Sequence, residues 1–457
     1  MKKECPKSLY SGASPQEIAA DLMPLIEFQD EGMPLDELNH LIEKKLIPHL
    51  IRYDRPEFHS LYNSFPEEGA EFGARIALQY NQGVTNWLVS PGGVMLEELC
   101  AQVLCRLFDL SSQADATFMY CGTYANQQAL YMALHQKAEK SGFDLNVSGL
   151  KGFAHPHKLA VIASEDAHFS LKHAVRILGL GDQALISLPV DENRKLDINK
   201  LKSYIKKNRS EKDIFCIVAT AGTTSTGSVD PILQITEIGR KNDIWIHVDG
   251  AYGLSFNFLP EKRILFHGIE KADSFCWDPH KQMGVPIPNS LLFVRRKQDF
   301  IRMAVYGNYF NRPDDPEPNP GLKSPPSTRP FSALSLVASI RHQGLDRLKK
   351  RLRAPLTAVE GVIKSLKNEK EIEICLEPEL GILCYRIIPQ SFPYEKLNDL
   401  QKYLFLSTKQ EGQRSLSLTS LGDRTALRLV ALSPSVTIQS LLDTIEYTSS
   451  LTRSYPG

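Results

Sequence analysis

Between residues 118 and 294 the chain alternates short apolar runs with helical stretches, and this pattern admits few architectures. Residues 159–163, 214–219, 244–248 and 291–294 read as buried strands. Between them, residues 125–140, 171–178 and 232–241 carry apolar side chains at helical spacing. Such alternation predicts an α/β fold, a mainly parallel sheet with helices on both faces. Ligands of such sheets gather at the carboxyl ends of the strands. Asp166, Gly222-Thr223-Thr224, Asp249 and Asp278 each fall just after an apolar run.

The flanking regions differ. Residues 1–90 read as an N-terminal helical segment, 91–330 as the large domain, and 331–457 as a smaller α+β domain with strands near 372–378, 382–388 and 426–432. Residues 307–331 hold seven prolines and the acids Asp314, Asp315 and Glu317. They cannot form a helix or a central strand, so the segment is either a linker or a lid. The 53 basic residues balance the 53 acidic ones among 457. That balance offers no field for nucleic acid or an anionic membrane. Neither a signal peptide nor a membrane span is expected. The eight cysteines form no CxxC pair, and they read as reduced packing residues of a cytoplasmic protein, with no metal site.

The chemistry lies in two motifs, Ser274-Phe275-Cys276-Trp277-Asp278-Pro279-His280-Lys281 and His247-Val248-Asp249-Gly250-Ala251-Tyr252. A lysine after a strand and turn, with an acid ending a preceding strand, is what pyridoxal phosphate (PLP) chemistry requires. The amine holds the cofactor as a Schiff base, and the carboxylate keeps the pyridine nitrogen protonated. His168, after Asp166-Ala167, suits stacking on the ring. Cys121-Gly122-Thr123-Tyr124-Ala125-Asn126 places a glycine at a helix start, where free N–H groups can cradle phosphate.

Together these motifs resemble the group II PLP-dependent amino-acid decarboxylases, from about Asn86-Trp87-Leu88-Val89-Ser90-Pro91 to Arg329. The resemblance implies an aminotransferase-like (fold type I) homodimer with active sites at the interface, acting on an L-amino acid. It makes Lys281 the Schiff-base lysine, Asp249 the partner of the pyridine nitrogen and His168 the stacking residue. Thr224 and Ala251 contact the cofactor, while Gly122, Thr123 and His280 lie around its phosphate. It makes the proline-rich segment a catalytic lid whose tyrosine returns a proton to the substrate, Tyr309 first and Tyr306 second. Two departures bear on the substrate. Thr328 precedes Arg329 where glycine or serine is usual, and Ser64-Phe65-Pro66-Glu67-Glu68 is more acidic than in aromatic-specific members. Glu67 or Glu68 is thus a candidate reader of a cationic side chain. The rival readings are an aldehyde synthase on the same scaffold, where the lid tyrosine is typically phenylalanine, and a catalytically retired PLP-fold binding protein.

Overall fold

The computed structural model describes residues 8–307 and 311–456. They form two compact units, one of Pro66–Arg353 with Pro378–Leu380, the other of the residues through Phe65, Ala354–Glu377 and Gly381 onward.

The Pro66–Arg353 unit is built on seven strands. They are β1 (Asp115–Met119), β2 (Leu159–Ser164), β3 (Leu185–Leu188), β4 (Asp213–Thr220), β5 (Trp245–Asp249), β6 (Ser274–Trp277) and β7 (Ser290–Val294). Their order is β1-β7-β6-β5-β4-β2-β3. Every neighbouring pair is parallel except the two made by β7, which runs antiparallel to β1 and β6. The expected mainly parallel α/β sheet is therefore present. Strands β2, β5 and β7 are buried along their whole length, as helices on both faces require. The Gly122–Lys140 helix covers one face, where Asn126 reaches His247 and Asp249 of β5. The Ile232–Asn242 helix packs on the other, with Gly239 so close to Ile246 that a Cβ there would sit 2.2 Å from its Cδ1.

Strand β6 is backed by an aromatic cluster. Behind β6, Phe108 meets the rings of Phe275, Trp277 and Phe293 edge-on at 5.3, 5.5 and 5.3 Å. Phe275 stacks on Phe293 at 4.4 Å, and the buried Trp277 indole donates to Ser255 Oγ at 2.9 Å. Such aromatic pairs add about 0.5–1.5 kcal/mol each beyond their buried area. Strand β6 therefore presents the turn after it from a fixed base.

The other unit holds an antiparallel sheet of β8 (Ile372–Ile374), β9 (Ile382–Ile387), β10 (Ser417–Leu421) and β11 (Arg424–Val430), in the order β10-β11-β9-β8. Leu383, Tyr385, Leu427 and Leu429 from this sheet pack with Leu400 and Leu404 of the Leu397–Glu411 helix and Leu441 and Ile445 of the Ile438–Ser450 helix. The unit also contains the Pro15–Ile26 and Leu35–Lys45 helices. Among the described residues no helix is long and apolar enough to cross a membrane.

Candidate active site

In a strand, alternate side chains share a face. On β5 these are Trp245, His247 and Asp249, and the register pairs His247 with Ser274 and Asp249 with Cys276 on β6. The Gly122–Lys140 helix lies over this face. Its residues 122 and 126 are one turn apart and so point the same way.

Asp249 is 6% exposed. Its Oδ2 accepts from Asn126 Nδ2 at 2.8 Å, and its Oδ1 from the Ala251 N–H at 3.2 Å and the Cys276 thiol at 3.4 Å. Burial pushes the Asp249 carboxyl up, but His168, Lys281, Asn126 and His247 together hold it below the ordinary carboxylate value. The result is a buried anion at the end of a central strand. His168 feels the same charges. Burial is the largest influence and lowers the imidazole's pKa, with Lys281 acting in the same sense and Asp249 opposing. The His168 ring is thus uncharged at neutral pH, and its Nδ1 accepts from the Ser170 N–H at 3.2 Å.

Lys281 follows β6 through a tight turn in which its N–H donates to the Asp278 carbonyl at 3.1 Å. Its Nζ lies 3.3 Å from Asp278 Oδ2, and His280 Nε2 lies 3.6 Å from the same oxygen. The Asp278 carboxylate also accepts from Ser290 Oγ, which leaves it oriented and 3% exposed. The His280 ring is fixed from behind, since Nδ1 accepts from the Asn289 N–H at 3.3 Å. The Lys281 side chain keeps 22% exposure, enough to meet a ligand.

The space beside these groups is shaped for a close-fitting phosphorylated ring. The Gly122–Lys140 helix begins at Cys121 with no side-chain cap, so the first-turn N–H groups are left for an anion. At Gly122 a Cβ would come within 2.9 Å of Asp278 Oδ2 and 3.2 Å of the Ala251 Cβ. Small residues at 122 and 251 thus keep the floor open. After β4, Gly222 takes φ +99°, a conformation that favours glycine, and a Cβ there would lie 3.0 Å from Tyr252. That turn carries Thr223, buried and bonded to Thr226 at 2.8 Å, and Thr224, which is half-buried. A buried anion, an adjacent lysine, a flat imidazole and an uncapped helix start are the donor set that PLP needs.

Not every expected residue joins this group. Tyr309 lies outside the described residues, and Tyr306 is 50% exposed. Glu67 is not free to read a ligand. Its Oε1 lies 2.6 Å from His342 Nδ1, and its Oε2 caps the Glu68–Tyr80 helix at the Ala70 N–H, 3.0 Å away. Glu68 is exposed. Asp166 is held by the Arg194 guanidinium.

Residues 17–388 match the model of the pyridoxal-dependent decarboxylase conserved domain, well over half of the chain. The chain belongs to the pyridoxal-dependent decarboxylases. It is 28% identical over 372 residues to an L-2,4-diaminobutyrate decarboxylase of Acinetobacter baumannii, spanning 79% of this chain and 73% of the relative. It is 26% identical over 422 residues to an aromatic-L-amino-acid decarboxylase of Bacillus atrophaeus, spanning 90% and 84%. Among solved structures it resembles the glutamate decarboxylase domain of a diaminobutyrate-pyruvate transaminase and L-2,4-diaminobutyrate decarboxylase from Vibrio parahaemolyticus. The TM-score is 0.87 at 25% identity, covering 98% of this chain and 91% of that one. The Oryza sativa TDC solved with PLP and tryptamine shares the fold, with TM-score 0.90 at 21% identity over 98% and 94% of the two chains. The decarboxylase is thus a PLP-dependent lyase acting on an amino acid, and the aldehyde-synthase and retired-protein readings are not favoured.

The decarboxylase site also contains side chains that sequence reasoning left without a role. His247, Ser274 and Cys276 were visible only as parts of the two motifs, and Asn126 only as the end of the Cys121–Asn126 segment. The helical offset from Gly122 to Asn126 and the alternation from His247 to Asp249 were the available signals. Their partnership spans up to 150 residues of sequence.

Proposed function

We propose that Lys281 holds PLP covalently through its amine and that Asp249, as a carboxylate, keeps the pyridine nitrogen protonated. His168 covers the ring face, Thr224 and Ala251 contact the cofactor, and Gly122, Thr123 and His280 surround its phosphate. When bound, PLP supplies an electron sink for the bond between the substrate Cα and its carboxylate. The chain's own groups do the rest. Asp278 orients the Lys281 amine, the Asn126 amide fixes the Asp249 carboxylate, and the uncharged His168 presents a flat surface. Tyr309 returns the proton to the substrate Cα from a lid over residues 307–331 that excludes water. The observation that carries this reading is the buried anion Asp249 sharing one site with Lys281 and His168.

The substrate is an L-α-amino acid. With Glu67 committed to His342, only Glu68 of the acidic pair remains as a reader of a cationic distal group. We further infer a cytoplasmic homodimer with active sites at the interface. In its support, Leu99 and Val103, one turn apart on the Pro91–Leu107 helix, are 50% and 45% exposed, with Leu88 at 78%. The described cysteines are all free, which suits a reducing compartment.

The test is a carbon dioxide release screen over the common amino acids plus diaminobutyrate, cysteine sulfinate and dihydroxyphenylalanine. Release that requires added PLP and vanishes in Lys281→Ala supports the reading. Undiminished release by Lys281→Ala, or release without PLP, overturns it.

A further inference from the structure

Behind Asp249 lies a chain of buried polar side chains that ordinary packing does not require. Trp245 Nε1 lies 3.0 Å from Ser274 Oγ, which lies 2.9 Å from His247 Nδ1. His247 Nε2 lies 2.9 Å from Asn126 Oδ1, and Asn126 Nδ2 lies 2.8 Å from Asp249 Oδ2 and 2.8 Å from Ser170 Oγ. Trp245, His247 and Ser274 are each no more than 1% exposed, as is Asn126.

The direction of every bond in this chain is determined by its two ends. An indole N–H only donates, so Ser274 Oγ accepts from Trp245. At the far end Asp249 is an anion that only accepts, so the Asn126 amide must present its nitrogen to it. Flipping that amide would set two acceptors against each other at 2.8 Å. Asn126 Oδ1 therefore faces His247 Nε2 at 2.9 Å, with the Cys276 thiol at 3.3 Å. A bare ring nitrogen there would set two acceptors against each other, so Nε2 is the protonated nitrogen of a neutral ring. His247 Nδ1 is then the acceptor, and the Ser274 hydroxyl donates to it. Burial, the largest influence, lowers the His247 pKa to about 4, so the ring is uncharged at neutral pH. All the donors point one way, toward Asp249.

We propose that Trp245, Ser274, His247 and Asn126 form a directed hydrogen-bond relay whose task is to hold Asp249 oriented and anionic for the pyridine nitrogen. These are positioning residues, since only Asp249 meets the cofactor. The inference rests on the assignment of Asp249 to that nitrogen. In such a chain each bond polarises the next, so the donor that reaches Asp249 is stronger than an isolated amide. A purely structural core would gain as much from apolar side chains of the same shape.

The experiment measures cofactor binding to the apoenzyme by fluorescence titration. It compares PLP with the analogue in which the ring nitrogen is replaced by carbon. A hydrogen bond to a charged group contributes about 1.5–3 kcal/mol, so Asn126→Leu is expected to weaken PLP binding about 10–100-fold. His247→Gln should have a smaller effect and Ser274→Ala a few-fold effect, in that order. Binding of the carbon analogue should change little in all three, because it offers Asp249 nothing to pair with. Ser274→Ala removes one oxygen, and its thermal melt checks that the fold persists. Equal weakening for PLP and the analogue in the Asn126 and His247 variants would reduce the relay to packing and overturn the proposal. So would parental PLP binding in all three. Asp249→Asn separates the two claims. If Asp249→Asn weakens PLP and the analogue equally, the assignment of Asp249 is itself wrong. If it weakens PLP selectively and the relay variants do not, only the relay falls.

Discussion

Replacing Arg329 with methionine tests how the end of the proline-rich segment is held. The Arg329 and Glu97 side chains form a buried ion pair, 4% and 2% exposed. The guanidinium also donates to Ser324 Oγ at 2.7 Å, the Pro320 carbonyl at 2.8 Å, Thr117 Oγ1 at 3.2 Å and the Phe118 carbonyl at 3.3 Å. Methionine fills similar volume but leaves Glu97 with one donor, the Phe118 N–H at 3.4 Å. Stranding one partner of a buried pair costs about 3–5 kcal/mol. In a unit of this size that corresponds to a fall in melting temperature of about 5–8 °C. Burial already raises the Glu97 pKa above its ordinary 4.5 despite Arg329 and Lys323, and losing Arg329 raises it further. In the variant the folded state holds a Glu97 proton that the unfolded chain has lost. The added destabilisation must therefore grow as pH rises above about 4.5 and shrink below it. Differential scanning fluorimetry of Arg329→Met and of Arg329→Met/Glu97→Leu, at pH 5 and 8, measures both effects. The double variant should recover most of the loss. A single-variant loss under about 1 kcal/mol at pH 8, or a double variant no better than the single, would refute the reasoning.

Further outcomes follow from the site. Gly122→Val should weaken PLP binding at least tenfold in a fluorescence titration, because even a Cβ there crowds Asp278 and Ala251. Asp249→Ala should retain some cofactor yet lose turnover in a carbon dioxide release assay, since an unprotonated ring is a poor electron sink. Tyr309→Phe should still bind PLP and release carbon dioxide, but divert product toward oxygen-dependent aldehyde and ammonia, read by chromatography. Amine formation at the parent rate would move the donor to Tyr306 or His168. Glu68→Gln should raise the KM for a diamino acid while sparing neutral substrates, and equal effects on both would remove Glu68 as a reader.

Strands β2, β4, β5 and β7 were legible because strands buried on both faces are mostly apolar. Strand β3 escaped because Leu185–Leu188 lies at the sheet edge and is only partly covered. Strand β10, Ser417–Leu421, escaped because its polar alternation resembles a loop. In the site, Lys281, Asp249 and His168 were singled out as candidates because each stands at or shortly after the end of an apolar run. The partners of those residues were not. Asn126 is an ordinary helix residue until β5 is placed beneath it, and Glu67 looked free until His342 was brought to it.

The most direct test of the account is to trap the cofactor on the chain. Holoenzyme reduced with borohydride and digested with protease should yield one pyridoxyl-labelled peptide, with the label on Lys281 by tandem mass spectrometry. Lys281→Ala treated in the same way should yield none. Label on another lysine, or label persisting in Lys281→Ala, would contradict the account.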